Sequence, residues 1–140
     1  MDKVKKNVSI MCFHDELCQV YNALMTALSL LREGNTVDVF FGSRGINAVH
    51  KDKIRELKCL PDMPPEAGEA VLKKMDDMNL PSAEDLMFFL IAEKAHVWAC
   101  PLNKELFDIK ETDFYDGVKV ADPATYYKDV VMKADMNLTF

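Results

Sequence analysis

Short runs rich in β-branched and aromatic residues recur along this chain, and stretches with helical spacing separate them. That alternation is the strongest constraint on its fold. Residues 8–13 (Val-Ser-Ile-Met-Cys-Phe) form the first apolar run. Leu17, Val20, Tyr21, Leu24, Leu28 and Leu31 then recur at three- and four-residue steps, one face of a helix over residues 15–33. Gly34-Asn35 stops that helix in the usual C-terminal manner. A second run, Thr36-Val-Asp-Val-Phe-Phe41, follows at once, then a turn at residues 42–45 and a weaker helix over residues 46–57. Strands joined through helices of this length pair in parallel with right-handed crossovers, which makes the chain an α/β protein.

The rest of the sequence continues the pattern after an irregular middle. Pro61, Pro64 and Pro65 mark a surface loop, and residues 66–78 are helical in character. Ser82 with Asp85 three residues on is a short-armed capping box, so a helix starts there and carries Leu86, Phe89 and Leu90. The third strand is residues 96–100 (His-Val-Trp-Ala-Cys). A short helix over 104–107, a brief strand at 117–120, a helix opened by Asp122-Pro123 and reaching Lys133, and a strand at 136–140 complete the order. No repeat, low-complexity tract or dividing linker interrupts it, so residues 1–140 read as a single domain.

Composition excludes several functions. Hydrophobic residues are 49% and charged residues 29% of the chain, an ordinary globular balance. The formal net charge is -6 and no basic cluster has the size of a nucleic-acid footprint, so no nucleic-acid partner is expected. Residues 1–6 are mildly basic, but no signal-peptide core follows. The longest apolar run, Leu86 to Ala92, is too short to span a bilayer, so no membrane partner is expected either. Cys12, Cys18, Cys59 and Cys100 are not spaced as a disulfide framework, and without a secretory signal they read as reduced thiols of a cytoplasmic protein.

Cys100 is the leading chemical candidate. It ends the third strand and Pro101 follows, a residue well suited to a first helical position. The thiol therefore stands where a strand hands over to a helix, at the carboxyl edge of the sheet where open α/β folds bind ligands. A helix start there favours the thiolate, and an exposed, reactive thiol is the expectation. The competing reading is an inert buried cysteine. The segment from Cys12 through His14 to Cys18 offers soft metal ligands, but no second pair with zinc-site spacing occurs elsewhere, so no metal is called for. His14 follows strand one on the same edge and would tune the Cys100 thiol if strands one and three were neighbours. Gly42-Ser43-Arg44-Gly45 resembles a small anion-binding turn, yet it matches neither nucleotide fingerprint. Several of the nine methionines fall in or beside the irregular middle, and core packing accounts for most of them.

These residues also carry a family resemblance. Phe40-Phe41 before Gly45-Ile46-Asn47, Pro81-Ser82 with Glu84-Asp85-Leu86, Val97-Trp98-Ala99-Cys100, Leu106-Phe107-Asp108-Ile109 and Asp116-Gly117-Val118-Lys119-Val120 stand in order. Ala124-Thr125-Tyr126 and Ala134-Asp135-Met136-Asn137-Leu138 follow them. Together they resemble the DsrE/DsrF-like family over nearly the whole chain, most strongly from Pro81 to Phe140. The resemblance implies a three-layer α/β/α domain around a parallel five-stranded sheet, of flavodoxin/Rossmann-like architecture. It also implies a cytoplasmic homo-oligomer, a trimer or hexamer, and in some members a sulfur relay through a persulfide on the cysteine at this strand end. By position that cysteine is Cys100. The sequence departs from the family pattern at Pro101-Leu102-Asn103, just after the cysteine, and at Asp122-Pro123, before the Ala-Thr-Tyr group.

The expectation is a sulfur-relay protein that takes sulfane sulfur on Cys100 and passes it to a partner thiol, without cofactor or metal. If it is an enzyme, it is of the sulfurtransferase type. Two alternatives stand beside it. One is a thiol redox protein or peroxide sensor in which Cys12 or Cys18 resolves oxidised Cys100. The other is a non-catalytic oligomeric module that binds a small molecule or a protein. Residues 42–65, with apolar Ile46, Val49 and Leu60, are expected to lie partly in a subunit interface.

Overall fold

The computed structural model describes residues 4–140; Met1, Asp2 and Lys3 of the mildly basic start lie outside the described residues. Five strands form one parallel sheet: β1 (Asn7–Cys12), β2 (Thr36–Phe41), β3 (His96–Ala99), β4 (Lys119–Val120) and β5 (Met136–Thr139), in the order β4-β3-β2-β1-β5. Register runs straight across the middle, with Ile10 opposite Val39, Val39 opposite Val97 and Ile10 also opposite Leu138.

Alternation along each strand divides the core in two. Val8, Ile10 and Cys12 of β1, Val37, Val39 and Phe41 of β2, and Val97 and Ala99 of β3 join one large cluster. Helices α1 (Leu17–Arg32) and α3 (Ala83–Ala92) cover that face, burying Val20, Leu24, Leu28, Leu86 and Leu90. The amphipathic spacing read for α1 is the spacing of its buried face. Ser82 caps α3 as expected: its hydroxyl accepts from Asp85 N at 3.0 Å, and the Asp85 carboxylate accepts from Ser82 N at 2.9 Å. Arg32 in the last turn of α1 grips the Glu93 carboxylate at the end of α3 through two hydrogen bonds, of 2.8 and 2.9 Å. Helix α2 (Pro65–Asp77) is almost wholly exposed and buries only Gly68.

The other face carries a second, smaller cluster of Met11, Phe40, Cys100 and Tyr126. One short helix, α5 (Pro123–Asp129), covers it, and Tyr126 is its buried residue. The handedness of the crossovers explains the imbalance. Moving from β1 through β4, every connection steps the same way along the sheet and lands on the same face. Only the return from β4 to β5, across the whole sheet, places a helix on the other.

Residues 46–57 do not form the expected helix. Two 3-10 segments stand there, Ser43–Val49 and Lys53–Glu56. The backbone is engaged elsewhere: Val49 O accepts from Tyr115 N at 3.2 Å, and Lys51 N donates to Asp113 O at 2.9 Å. The His50 ring takes the next donors, its Nδ1 accepting from Asp52 N at 3.0 Å and Lys53 N at 3.2 Å, in competition with helical bonding. Ile46 and Val49 are fully buried within the chain itself, so these two residues offer nothing to a subunit interface. Among the described residues, no helix is long and apolar enough to cross a membrane.

Candidate functional site

Cys100 stands at the junction the sequence indicates. Its backbone N–H donates to Phe41 O at 3.3 Å, extending the β2–β3 pairing by one residue, and its carbonyl accepts from Lys104 N at 3.1 Å. It is thus the last residue of the strand line and the N-cap of α4 (Pro101–Leu106), with Pro101 at the first helical position. The helix starts earlier than the expected 104–107, because Pro101 presets the first turn and lacks only an N–H that would be unpaired there.

The thiol is not exposed. Cys100 is 2% accessible, enclosed by Met11, Phe40 and Tyr126, with the half-buried Phe13, Trp98, Val130 and Val131 around them. The expectation of an exposed thiol is therefore corrected. The sequence around Cys100 gives no sign that Tyr126, Val130 and Val131, 26 residues and more downstream, return over the same sheet face.

The neighbourhood is held by buried polar contacts. The Tyr126 ring lies 4.8 Å from Phe40 and 5.8 Å from Trp98, centroid to centroid. Its hydroxyl shares a 2.7 Å hydrogen bond with Ser9 Oγ and donates over 3.4 Å to Asp38 O. Burial pushes the Tyr126 phenol well above its ordinary range. Two residues before Cys100 on the same face, Trp98 Nε1 donates to Asp38 Oδ1 at 2.9 Å, and His96 Nδ1 meets the same oxygen at 3.1 Å. Asp38 and Tyr126 were missed as members of this neighbourhood. A lone acidic residue inside the apolar run of β2 was the available signal, since a buried carboxylate needs partners.

The other candidates are placed apart from Cys100. The sheet order puts β2 between β1 and β3, so strands one and three are not neighbours, and His14 is exposed beyond β1. The condition for a His14–Cys100 pairing fails. Cys12 lies in the large cluster on the opposite sheet face, its thiol donating to His14 O at 3.5 Å; burial pushes it up to about 11. Cys18 on α1 lies 3.9 Å from Cys59, sulfur to sulfur. Neither Cys12 nor Cys18 is thus placed beside Cys100 as a resolving thiol. Among the described residues, no three His, Cys, Asp or Glu side chains come together as metal ligands.

The turn after β2 is internally engaged rather than open to an anion. Gly42 N donates to Cys12 O at 3.0 Å, Gly45 N to Gly42 O at 2.8 Å, and Ser43 N to Asn103 Oδ1 at 2.8 Å. Asn103 belongs to the departure from the family pattern, and its role is to tie α4 to this turn. Arg44 turns to Asp15, 3.6 Å away. Beside it lies a polar cleft of about 570 Å³, lined by Asp15, Arg44, Asn47, Lys53 and Lys58 among others; Cys100 is not in its lining.

A sequence model of the DsrE/DsrF/DrsH-like family matches residues 60–139, more than half of the chain, including all of β3, Cys100 and α5. The chain belongs to the DsrE/DsrF/DrsH-like family. Its fold is similar to that of the crystal structure of the YchN protein from E. coli, with a TM-score of 0.67 at 18% identity, over 98% of this chain and 100% of that one. At that identity the likeness concerns the fold. No curated protein matches the sequence.

Proposed function

We propose that this protein carries sulfane sulfur as a persulfide on Cys100 and passes it to the thiol of a partner protein. The observation that carries this reading is position: Cys100 is the thiol at the carboxyl end of the third parallel strand, at a strand-to-helix junction, in a member of a sulfur-relay-related family. The other three thiols are less suited. Cys12 is buried on the opposite face with its thiol held protonated, and Cys18 and Cys59 face each other.

The transfer is redox-neutral overall. The Cys100 thiolate attacks the outer sulfur of a donor persulfide; the donor sulfur–sulfur bond breaks, and the donor leaves as a thiolate. The Cys100 persulfide then gives up its outer sulfur to an acceptor thiolate by the same displacement. Burial sets a condition on both steps. The half-buried Phe13, Val130 and Val131 at the margin of the cluster must move aside for donor and acceptor alike, so small persulfides load Cys100, and bulk thiols unload it, more slowly than they would an exposed thiol. The protein works as a homo-oligomer, a trimer or hexamer, in the cytoplasm.

Incubation with a low-molecular-weight persulfide donor, read by intact mass, tests this. Wild type gains one sulfur atom, which a reducing thiol removes. Cys100→Ser does not gain it, Cys18→Ser loads nearly as wild type, and His14→Ala loads at an unchanged extent. Equal loading of wild type and Cys100→Ser would place the chemistry on another thiol, and a wild type that never gains sulfur would sink the proposal.

A further inference from the structure

The geometry points to a second thiol site: Cys18 and Cys59 form an intramolecular dithiol that a hydroperoxide converts to a disulfide, cross-linking α1 to the turn before α2. Their sulfurs are 3.9 Å apart and hydrogen-bonded thiol to thiol, although 41 positions separate them in sequence. A disulfide needs the sulfurs roughly 2 Å closer. The two backbones are tied together beside the pair. Leu17 N donates to Lys58 O at 2.9 Å, so the residues next to each cysteine are joined by a main-chain hydrogen bond.

The pair is accessible from one side. Access is through Cys18, which is half-buried; Cys59 is itself buried at 7%, in the wall of a groove of about 410 Å³ between the turn and α2, with Leu60, Met63, Pro65 and Gly68. A small peroxide enters such a groove. Neither cysteine belongs to the Cys100 cluster, which lies on the other face of the sheet.

The chemistry closes with the peroxide as oxidant. One thiolate attacks the peroxide oxygen, the oxygen–oxygen bond breaks, and an alcohol (water, from hydrogen peroxide) leaves, giving a sulfenic acid. The second thiol attacks that sulfur, the sulfur–oxygen bond breaks, and water leaves as the disulfide forms. Two thiols lose two electrons and two protons, and the peroxide is reduced by two electrons. Burial and the neighbouring Cys18 thiol both push the Cys59 thiol up. The Cys59 thiolate is therefore scarce at neutral pH, which slows the reaction.

The folded protein is treated with hydrogen peroxide, the remaining thiols are alkylated, and mass and non-reduced peptides are read. The expected product has lost two hydrogens and carries a peptide joining Cys18 to Cys59, restored by a reducing thiol. Cys100→Ser forms the same link to the same extent, which separates this site from the proposed sulfur carrier. Cys18→Ser and Cys59→Ser both fail to form it. Full alkylation of Cys18 and Cys59 in the treated wild type would overturn the proposal. So would oxygen added to these thiols without the link, or a link joining either one to Cys12, Cys100 or a second chain.

Discussion

Tyr126 and Cys12 show how single buried groups on opposite faces of one sheet set measurable properties. The Tyr126 hydroxyl is the side-chain partner of Ser9, which is fully buried within β1. Tyr126→Phe leaves the Ser9 hydroxyl in an apolar layer without that bond, and the expected loss is about 1–3 kcal/mol in urea unfolding. Adding Ser9→Ala recovers part of it, because removing both partners is cheaper than orphaning one; a double-mutant cycle reads the coupling. Cys12 answers to pH. Its thiol titrates at about 11 in the folded chain, above its ordinary value of 9.0. The unfolded chain releases this proton first, so the native state holds more protons between those values. The contribution is complete below pH 9 and is lost as pH rises towards 11. Alkylation of Cys12 in the native protein is accordingly expected to be negligible at neutral pH and to become rapid only on unfolding. Peptide mapping with and without denaturant checks both halves, and ready native labelling of Cys12 at neutral pH would contradict the burial argument.

At the scale of elements, close backbone approach and capping decide what the chain tolerates. Gly45 passes over the end of β1 so tightly that a Cβ there would stand 2.4 Å from Cys12 O. The obstacle is backbone, not a flexible side chain, so Gly45→Ala is expected to cost roughly 1–3 kcal/mol, measured by urea unfolding. Ser82→Ala removes the oxygen that holds Asp85 N and should cost about 1 kcal/mol in the same assay. That cap was legible from Ser82 and Asp85 alone, because capping is local chemistry. The strands were legible for a similar reason: β-branched runs between helical periods leave few other ways to bury Val8, Ile10, Val37, Val39 and Val97. Residues 46–57 were not, because their backbone bonds go to residues 113–115, some 60 positions away, and no local pattern encodes that pairing. The candidate site was legible in half. The strand end, Pro101 and Cys100 are neighbours in sequence and the junction followed from them. The lid over the thiol comes from Tyr126, Val130 and Val131, and the Asp38–Trp98–His96 contacts come from pairing β2 with β3. The same long-range reach brings Cys59 to Cys18.

The two faces of the sheet are unequally covered, and this bears on the whole molecule. Helices α1 and α3 cover one face, while seven-residue α5 and the short turn after it cover the other. Around α5 large apolar side chains stand exposed among the charged Lys128, Asp129 and Lys133: Met132 is 80% accessible, Tyr127 and Met136 are exposed, and Trp98 is half-buried with the Lys119 ammonium 5.0 Å from its ring centre. A parallel sheet is ordinarily buried on both faces, so a thinly covered one is where a second copy of the chain is expected to sit. This face joins residues 42–65 as a candidate surface for the proposed homo-oligomer; of the apolar residues there, Ile46 and Val49 are spent inside the chain and Leu60 is half-buried. It is also the face that holds Cys100, so assembly would further enclose the thiol and shape the path of a docking partner. Light scattering at micromolar concentration is expected to give a trimer or hexamer mass for wild type. Met132→Lys replaces the most exposed apolar side chain of that surface with a charge and removes little packing within the chain, so it should shift the mass towards monomer without lowering the unfolding midpoint of the isolated chain. Persulfide loading of Cys100 in Met132→Lys should then become faster, because the dissociated protein leaves only Phe13, Val130 and Val131 at the margin of the thiol. A wild type that is monomeric across dilution would remove the oligomer. A Met132→Lys protein that keeps the full assembly mass would move the interface away from α5.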